Sequence, residues 1–234
     1  MKFLENNIEL KLDEVEDRFP NIFNIYQQNL DIDIDFEVNS DRIMLTSPYS
    51  NSVYTNVESI LDYHTKFFFK NSIYKEPLAR ALGLKKGMAK PVVLDATAGM
   101  LVDSLLIFAF GCKVIAFERN PVAAILALNA IELSQVDIDF KYDSAINCEE
   151  VTDVVYFDPM YGEEKNVKTL PKKEMRIFRE VVGADNDASK IATALKSKAK
   201  RLVIKRSIKA MPILENPSMQ ISGKSTRYDV YLNS

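Results

Sequence analysis

From Val92 onward the chain alternates apolar runs of strand length with runs of helix length, and no other feature restricts its fold as much. "VVLDAT" (92–97) reads as a buried strand, and "LVDSLLIFAF" (101–110) as a helix ended by Gly111. "KVIAFE" (113–118) is a second strand, and "PVAAILALNAIELSQ" (121–135) a helix with Pro121 in its first turn. "IDFKY" and "DVVYF" follow as strands, "KKEMRIFREVV" and "ASKIATALKSKAK" as helices, and "RLVIK" as a strand. "MQISGKSTRYDVYL" closes the chain as a hairpin turning at Gly-Lys-Ser. Strands without polar alternation belong to a parallel sheet covered on both faces, and ligands on such sheets lie beyond the strand C-termini near the switch in strand order. The expected fold class is therefore α/β, Rossmann-like and mostly parallel, with an antiparallel C-terminal hairpin.

The first 60 residues follow a different grammar. A short acidic helix pattern is mixed with the alternating "DIDIDFEV" and the β-like "RIMLTS", which predicts a small N-terminal α+β lobe. The expected division is a lobe over residues 1–75 and the main domain over residues 76–234. No eighteen apolar residues run together, and the first segment lacks the uninterrupted apolar stretch of a signal peptide, so a cytoplasmic location with no membrane contact is expected. Two cysteines, Cys112 and Cys148, with no CxxC spacing and no histidine nearby indicate neither a disulfide framework nor a metal site.

The net charge of −3 hides an asymmetry. Residues 1–60 carry four Lys/Arg against twelve Asp/Glu, whereas residues 161–210 carry fourteen against six. The basic stretch fits either a solvated helix face or a surface for phosphates, with Lys172, Lys173, Arg176, Lys205 and Arg206 as candidate contacts to RNA.

Three strand ends carry residues that read chemically. In "LDATAGML", Asp95 ends the strand, and Thr97, Ala98 and Gly99 form a small-residue turn that lets a ligand approach the backbone. Glu118 ends the next strand nineteen residues beyond Gly99, where a carboxylate can accept from both hydroxyls of a ribose. The G-x-G-x-x-G pattern that faces a pyrophosphate is absent, because Met100, Leu101 and Val102 follow Gly99. A cofactor with a ribose and no phosphate fits better, and S-adenosylmethionine is such a cofactor. Its adenine would lie near "KYDSAIN", within reach of Asp143 or Ser144, although both are ordinary turn formers.

The third feature is Asp158-Pro159-Met160-Tyr161 at the end of "DVVYF". The exocyclic amine of a nucleobase is a poor nucleophile because its lone pair is delocalised into the ring. A methyltransferase orients it with acceptors that also stabilise the developing positive charge, and the Asp158 carboxylate and Pro159 carbonyl supply two. Proline fixes the backbone that aims its carbonyl, and Tyr161 offers a flat face to a base. Taken alone, the tetrapeptide would be a type I turn leaving a strand.

These segments together resemble the ribosomal small subunit methyltransferase J family. The resemblance runs from about Pro91 to Leu232 through "DATAG", "FERNPVAA", "VVYFDPMY", "KKEMRIF", "VVGAD", "LVIKR" and "RYDVY". It implies a class I methyltransferase sheet, S-adenosylmethionine as cofactor, and methylation of a guanine N2 amine in 16S rRNA, free or in the small ribosomal subunit, without a metal. It also implies cofactor contacts at Asp103, Glu118, Arg119, Ser144 and Asp158, with the target base against residues 158–161. Two departures stand out. The family has glycine-leucine-glycine-arginine-aspartate where this chain has "GMLVD", and a glycine-rich basic stretch where "HTKFFFKNSIYK" follows His64. His64 reads as structural or RNA-contacting, since amine methylation needs no strong base. Phe67, Phe68 and Phe69 read best as packing residues, with stacking on RNA bases the weaker alternative. The alternatives are an amino methyltransferase acting on DNA or protein, or a non-catalytic RNA-binding module on the same fold, which the altered turn would favour.

Overall fold

The computed structural model describes residues 1–46, 52–150, 152–160 and 181–233. The N-terminal segment forms β1 (Lys2–Glu5), β2 (Ile8–Glu9), α1 (Leu12–Arg18), α2 (Pro20–Gln27), β3 (Asp35–Asn39) and β4 (Arg42–Leu45). Its four-stranded sheet has the order β2-β1-β3-β4, with β1 and β3 parallel and the other pairs antiparallel. Alternation in β3 turns Phe36 and Val38 inward, where Phe36 stacks on Phe3 at 5.2 Å. The alternating "DIDIDFEV" is strand only from Asp35 onward.

Helix α3 (Val57–Lys70) begins at Asn56, whose side chain accepts from Ser59 N, and α4 (Pro77–Ala81) follows. Then come β5 (Val92–Asp95), α5 (Val102–Ala109), β6 (Lys113–Glu118), α6 (Pro121–Ser134), β7 (Asp139–Tyr142), β8 (Val154–Phe157), α7 (Ala188–Lys198), β9 (Arg201–Ser207), β10 (Met219–Ser222) and β11 (Thr226–Leu232). Each strand predicted in this region is present, with ends moved by a residue or two. Most of "KKEMRIFREVV" lies outside the described residues.

The main sheet has the order β10-β11-β9-β8-β5-β6-β7. Strands β5 to β9 pair in parallel, while β11 runs antiparallel to both β9 and β10. From β5 the chain winds outward through β6 to β7, then returns to β8 on the other side of β5. The switch in direction lies between β5 and β8, so a crevice opens beyond their C-terminal ends.

Helix α6 explains how the two sheets join. It is apolar all round, which suits a helix covered on both sides. Ala127 and Ala130 pack into the core of the main sheet, while Val122 to Leu126 share a core with Phe3, Phe36 and Ile43 of the N-terminal sheet. Asn129 is buried there, accepting from Ile43 N at 2.8 Å and donating to the Asp41 carbonyl at 2.9 Å. Helix α3 packs on α5, with Val57 buried in the main core and the Phe68 ring 5.3 Å from Phe110. Phe67 and Phe69 are exposed, the latter 92%, so of the three phenylalanines only Phe68 keeps the expected packing role. In "RYDVY", Arg227 holds Asp229 in a two-point ion pair and donates to the carbonyls of Ile208 and Ala210, tying that loop to the sheet.

Candidate active site

The turn after β5 is held from below. Asp95 is fully buried, and its carboxylate accepts from Thr97 N at 3.0 Å and Ser104 Oγ at 2.6 Å. Burial pushes its pKa up to about 7, against the pull of those donors. Asp95 therefore braces the turn from inside the protein. Ala98 N donates to the Phe117 carbonyl at 2.9 Å, hooking the turn onto β6. Gly99 has φ +50 and donates its N–H to Glu118 Oε2 at 2.8 Å.

Leu101, which replaces the family's second glycine, has φ 63 and caps α5 in the left-handed region. A side chain costs about 1–2 kcal/mol in that conformation, and Leu101 is wholly buried, so packing offsets the strain. Leu101 therefore holds the left-handed conformation that a glycine would adopt without strain. Leu101→Ala is expected to lose about 2–5 kcal/mol of stability while keeping the strain. Leu101→Gly removes the side chain and the strain together, so it should unfold at higher urea than Leu101→Ala, by about 0.5–1 kcal/mol, reversing the usual order. A urea titration in which alanine is the more stable variant would contradict this account.

Glu118 is buried where β6 ends, with Oε2 on Gly99 N and Oε1 accepting from Asn120 N at 2.7 Å. Burial raises its pKa, against those backbone donors. Asn120 caps α6 by accepting from Val122 N and Ala123 N, with Pro121 in the first turn. The Arg119 guanidinium donates to Asp187 and Asp185, and these bonds hold its pKa well above the ordinary value. Beyond β7, Asp143 Oδ1 accepts from Ser144 N and Asn147 Nδ2.

A crevice of about 320 Å³ brings most of these together. Thr97, Gly99, Glu118, Arg119, Asp143, Ser144, Asp158 and Met160 line it, all singled out from sequence; Ala98, Asp103 and Pro159 lie outside its lining. This is a volume suited to a small cofactor, with convergent polar groups and a buried carboxylate. A ribose fits at Glu118 as hydrogen-bond donor, because an ionised carboxylate has acceptor lone pairs beyond the two engaged by Gly99 N and Asn120 N.

Asp158 borders the crevice from β8. Its N–H donates to Thr97 Oγ1 at 2.7 Å, which fastens the ends of β5 and β8 together. Asp185 clasps the next residues: it accepts from Met160 N at 2.6 Å, and its own N–H donates to the Met160 carbonyl at 2.7 Å. Because Asp185 also receives Arg119, it joins the Glu118 side of the crevice to the Asp158 side. The sequence offered "VVGAD" as a motif without a role, and this clasp supplies one.

Lys205 does not point outward as a phosphate contact would. Its ammonium donates to Asp103 Oδ2 at 2.6 Å and Asp158 Oδ2 at 2.8 Å, and Tyr156 OH donates to the same Asp103 oxygen. Arg206 Nε donates to the Met211 carbonyl at 2.9 Å. Tyr161, Lys172, Lys173 and Arg176 lie outside the described residues. Cys112 is buried, and burial pushes its thiol up to about 11.

Residues 26–233 match the family described as "Putative SAM-dependent methyltransferase". Ribosomal RNA small subunit methyltransferase J of Pseudoalteromonas translucida is 40% identical over 176 residues, covering 68% of this chain and 69% of that protein. The protein of the same name from Thioalkalivibrio sulfidiphilus is 39% identical over 178 residues, covering 69% of each chain. Among solved structures, the SAM-dependent methyltransferase NGO1261 from Neisseria gonorrhoeae aligns with a TM-score of 0.65 at 21% identity, over 99% of this chain and 96% of that one, a likeness of fold.

Proposed function

The chain belongs to the ribosomal RNA small subunit methyltransferase J family of S-adenosylmethionine-dependent methyltransferases, and from that premise we propose that it methylates the exocyclic N2 amine of a guanine in 16S rRNA. The observation that carries this reading is Asp158 and its proline at the β5–β8 switch point, bordering the same crevice as Glu118.

S-adenosylmethionine, when bound, supplies an electrophilic methyl group on a sulfonium. Glu118 accepts the ribose hydroxyls, the Gly99 turn leaves room for close approach, and Asp143 and Ser144 face the adenine. Thr97, Asp103 and Arg119 frame the same cofactor, while Asp95 and Ala98 hold its turn. Asp158 and the Pro159 carbonyl accept from the target amine, fixing its lone pair in line for transfer, and Tyr161 stacks on the base. Met160, clasped by Asp185, sets the height of this loop. Residues 76–234 supply this chemistry and residues 1–75 the added lobe. The protein works in the cytoplasm; no described helix is long and apolar enough to cross a membrane.

For the RNA, the reading assigns phosphate contacts to Lys172, Lys173, Arg176 and Arg206. A second contact lies on α3, where the Tyr63 and Phe67 rings stack at 6.4 Å and 17°, both exposed, with Lys66 and Lys70 in the same stripe. The helix that carries this face packs on α5, which bears Asp103. Phosphate contacts release counterions and stacking does not. Lys172→Ala/Arg176→Ala should therefore flatten the salt dependence of RNA affinity by roughly one to two log units per log unit of salt. Tyr63→Ala/Phe67→Ala should weaken binding at every salt concentration with the slope kept. Identical slopes and affinities in fluorescence titrations would leave both surfaces without a role.

The reading itself is tested by incubating the protein with methyl-labelled S-adenosylmethionine and rRNA, duplex DNA or ribosomal protein. Label entering rRNA alone supports it. Label in DNA or protein selects the other amino methyltransferase, and no label selects the binding module.

A further inference from the structure

The Lys205 ammonium sits partly buried between two carboxylates, that of Asp158 bordering the crevice and that of Asp103 outside its lining. Asp103 approaches from α5 and Asp158 from the end of β8, each accepting from Nζ within 2.8 Å. Tyr156 of β8 is wholly buried and donates to Asp103 Oδ2, so one oxygen receives both a phenol and an ammonium. On the other edge of β9 from β8, Tyr228 of β11 pairs with Lys205 in register. Among the described residues, buried Asp95 of β5 and half-buried His64 of α3 are the further ionisable groups beside Asp103. Burial works against the ammonium's charge, yet the two aspartates outweigh it and hold its pKa well above the ordinary lysine value.

Two neighbouring carboxylates disfavour each other's charge, and a cation hydrogen-bonded to both relieves that repulsion. A protonated Asp158 would offer the target amine an O–H donor where an acceptor is needed. An ammonium on Oδ2 removes that hazard and fixes the carboxylate's rotation. It also makes Asp158 a weaker base, which costs little when the task is to orient an amine and carry partial charge.

We infer that Lys205 is a positioning residue that keeps Asp158 ionised and aimed at the target amine. The inference rests on the reading of Asp158 as the amine's acceptor. It gives "LVIKR" a function inside the site, distinct from contact with RNA phosphates.

The test uses the full chain with Lys205→Met, Lys205→Gln and Lys205→Arg, and Asp158→Asn as the control. Two quantities are read: kcat against pH, and the aspartate carboxyl titrations by carbon-13 NMR in the protein without cofactor. Lys205→Met is expected to lower kcat about tenfold at pH 7, with S-adenosylmethionine affinity held within about threefold. The acidic limb of its pH profile should move up by at least one unit, as should the Asp158 carboxyl titration, and Lys205→Arg should restore both. Lys205→Gln, similar in length and uncharged, is read in the same way if methionine disrupts folding. A Lys205→Gln or Lys205→Met protein whose profile and Asp158 titration match wild type, while Asp158→Asn is inactive, overturns the lysine inference alone. An Asp158→Asn protein with full activity overturns the underlying reading and the inference with it.

Discussion

Asp158→Asn should lower kcat for rRNA methylation by about 10²–10³ while leaving cofactor affinity within about threefold. The variant keeps the shape of the side chain but turns one acceptor oxygen into an amide donor, which then faces the donor N–H groups of the substrate amine. Removing one preorganised group aimed at developing charge typically costs about 2.7–4 kcal/mol in the transition state. The backbone of residue 158 stays fastened to Thr97 Oγ1 at 2.7 Å, and Glu118 is untouched, so neither the loop nor the cofactor side should move. Single-turnover kinetics with calorimetry separate the two effects. A loss that appeared wholly in cofactor affinity would place Asp158 on the cofactor and leave the amine without its acceptor.

Glu118→Ala should weaken S-adenosylmethionine binding by about 10- to 150-fold, the equivalent of roughly 1.5–3 kcal/mol for charge-assisted bonds to two hydroxyls. The pH dependence has a definite sign. Burial raises the pKa of Glu118 in the free protein, and ribose hydroxyls donate more strongly to its ionised form, so binding favours loss of the proton. Affinity should therefore fall as pH drops through the free protein's Glu118 pKa, and Glu118→Ala should flatten that fall. The same substitution removes the acceptor of Gly99 N and Asn120 N, so thermal melting accompanies the calorimetry. Cys148→Ser serves as the reference with unchanged affinity. Equal affinity of wild type and Glu118→Ala would exclude Glu118 from the site.

How much of this was legible beforehand depends on whether a residue's environment is local. Strands β5, β6 and β8 announced themselves because a strand buried on both faces is a short continuous apolar run with turn residues at its ends. Glu118 and Asp158 were legible for the same reason, standing where such runs stop. The apolar circumference of α6 fits burial on two sides, but its second cover is a sheet more than seventy residues earlier in the chain, which no window reveals. Leu101 looked like damage to a glycine turn; only its φ and its burial show the compensation. Lys205 was read as surface charge because lysine in a basic stretch usually is, whereas Asp103 and Asp158, 102 and 47 residues away, draw it inward. Asp185 was missed as a clasp because its partner Met160 lies across twenty-five residues of chain.

The central claim is that this crevice delivers a methyl group to one guanine amine of small-subunit rRNA. Its most direct test is mass spectrometry of 16S rRNA from cells with the gene, without it, and with the Asp158→Asn form in its place. The account predicts one N2-methylguanosine at a single position that is present in the first and absent from the other two. An rRNA modification pattern identical in all three, with cofactor binding intact in the purified protein, would contradict it.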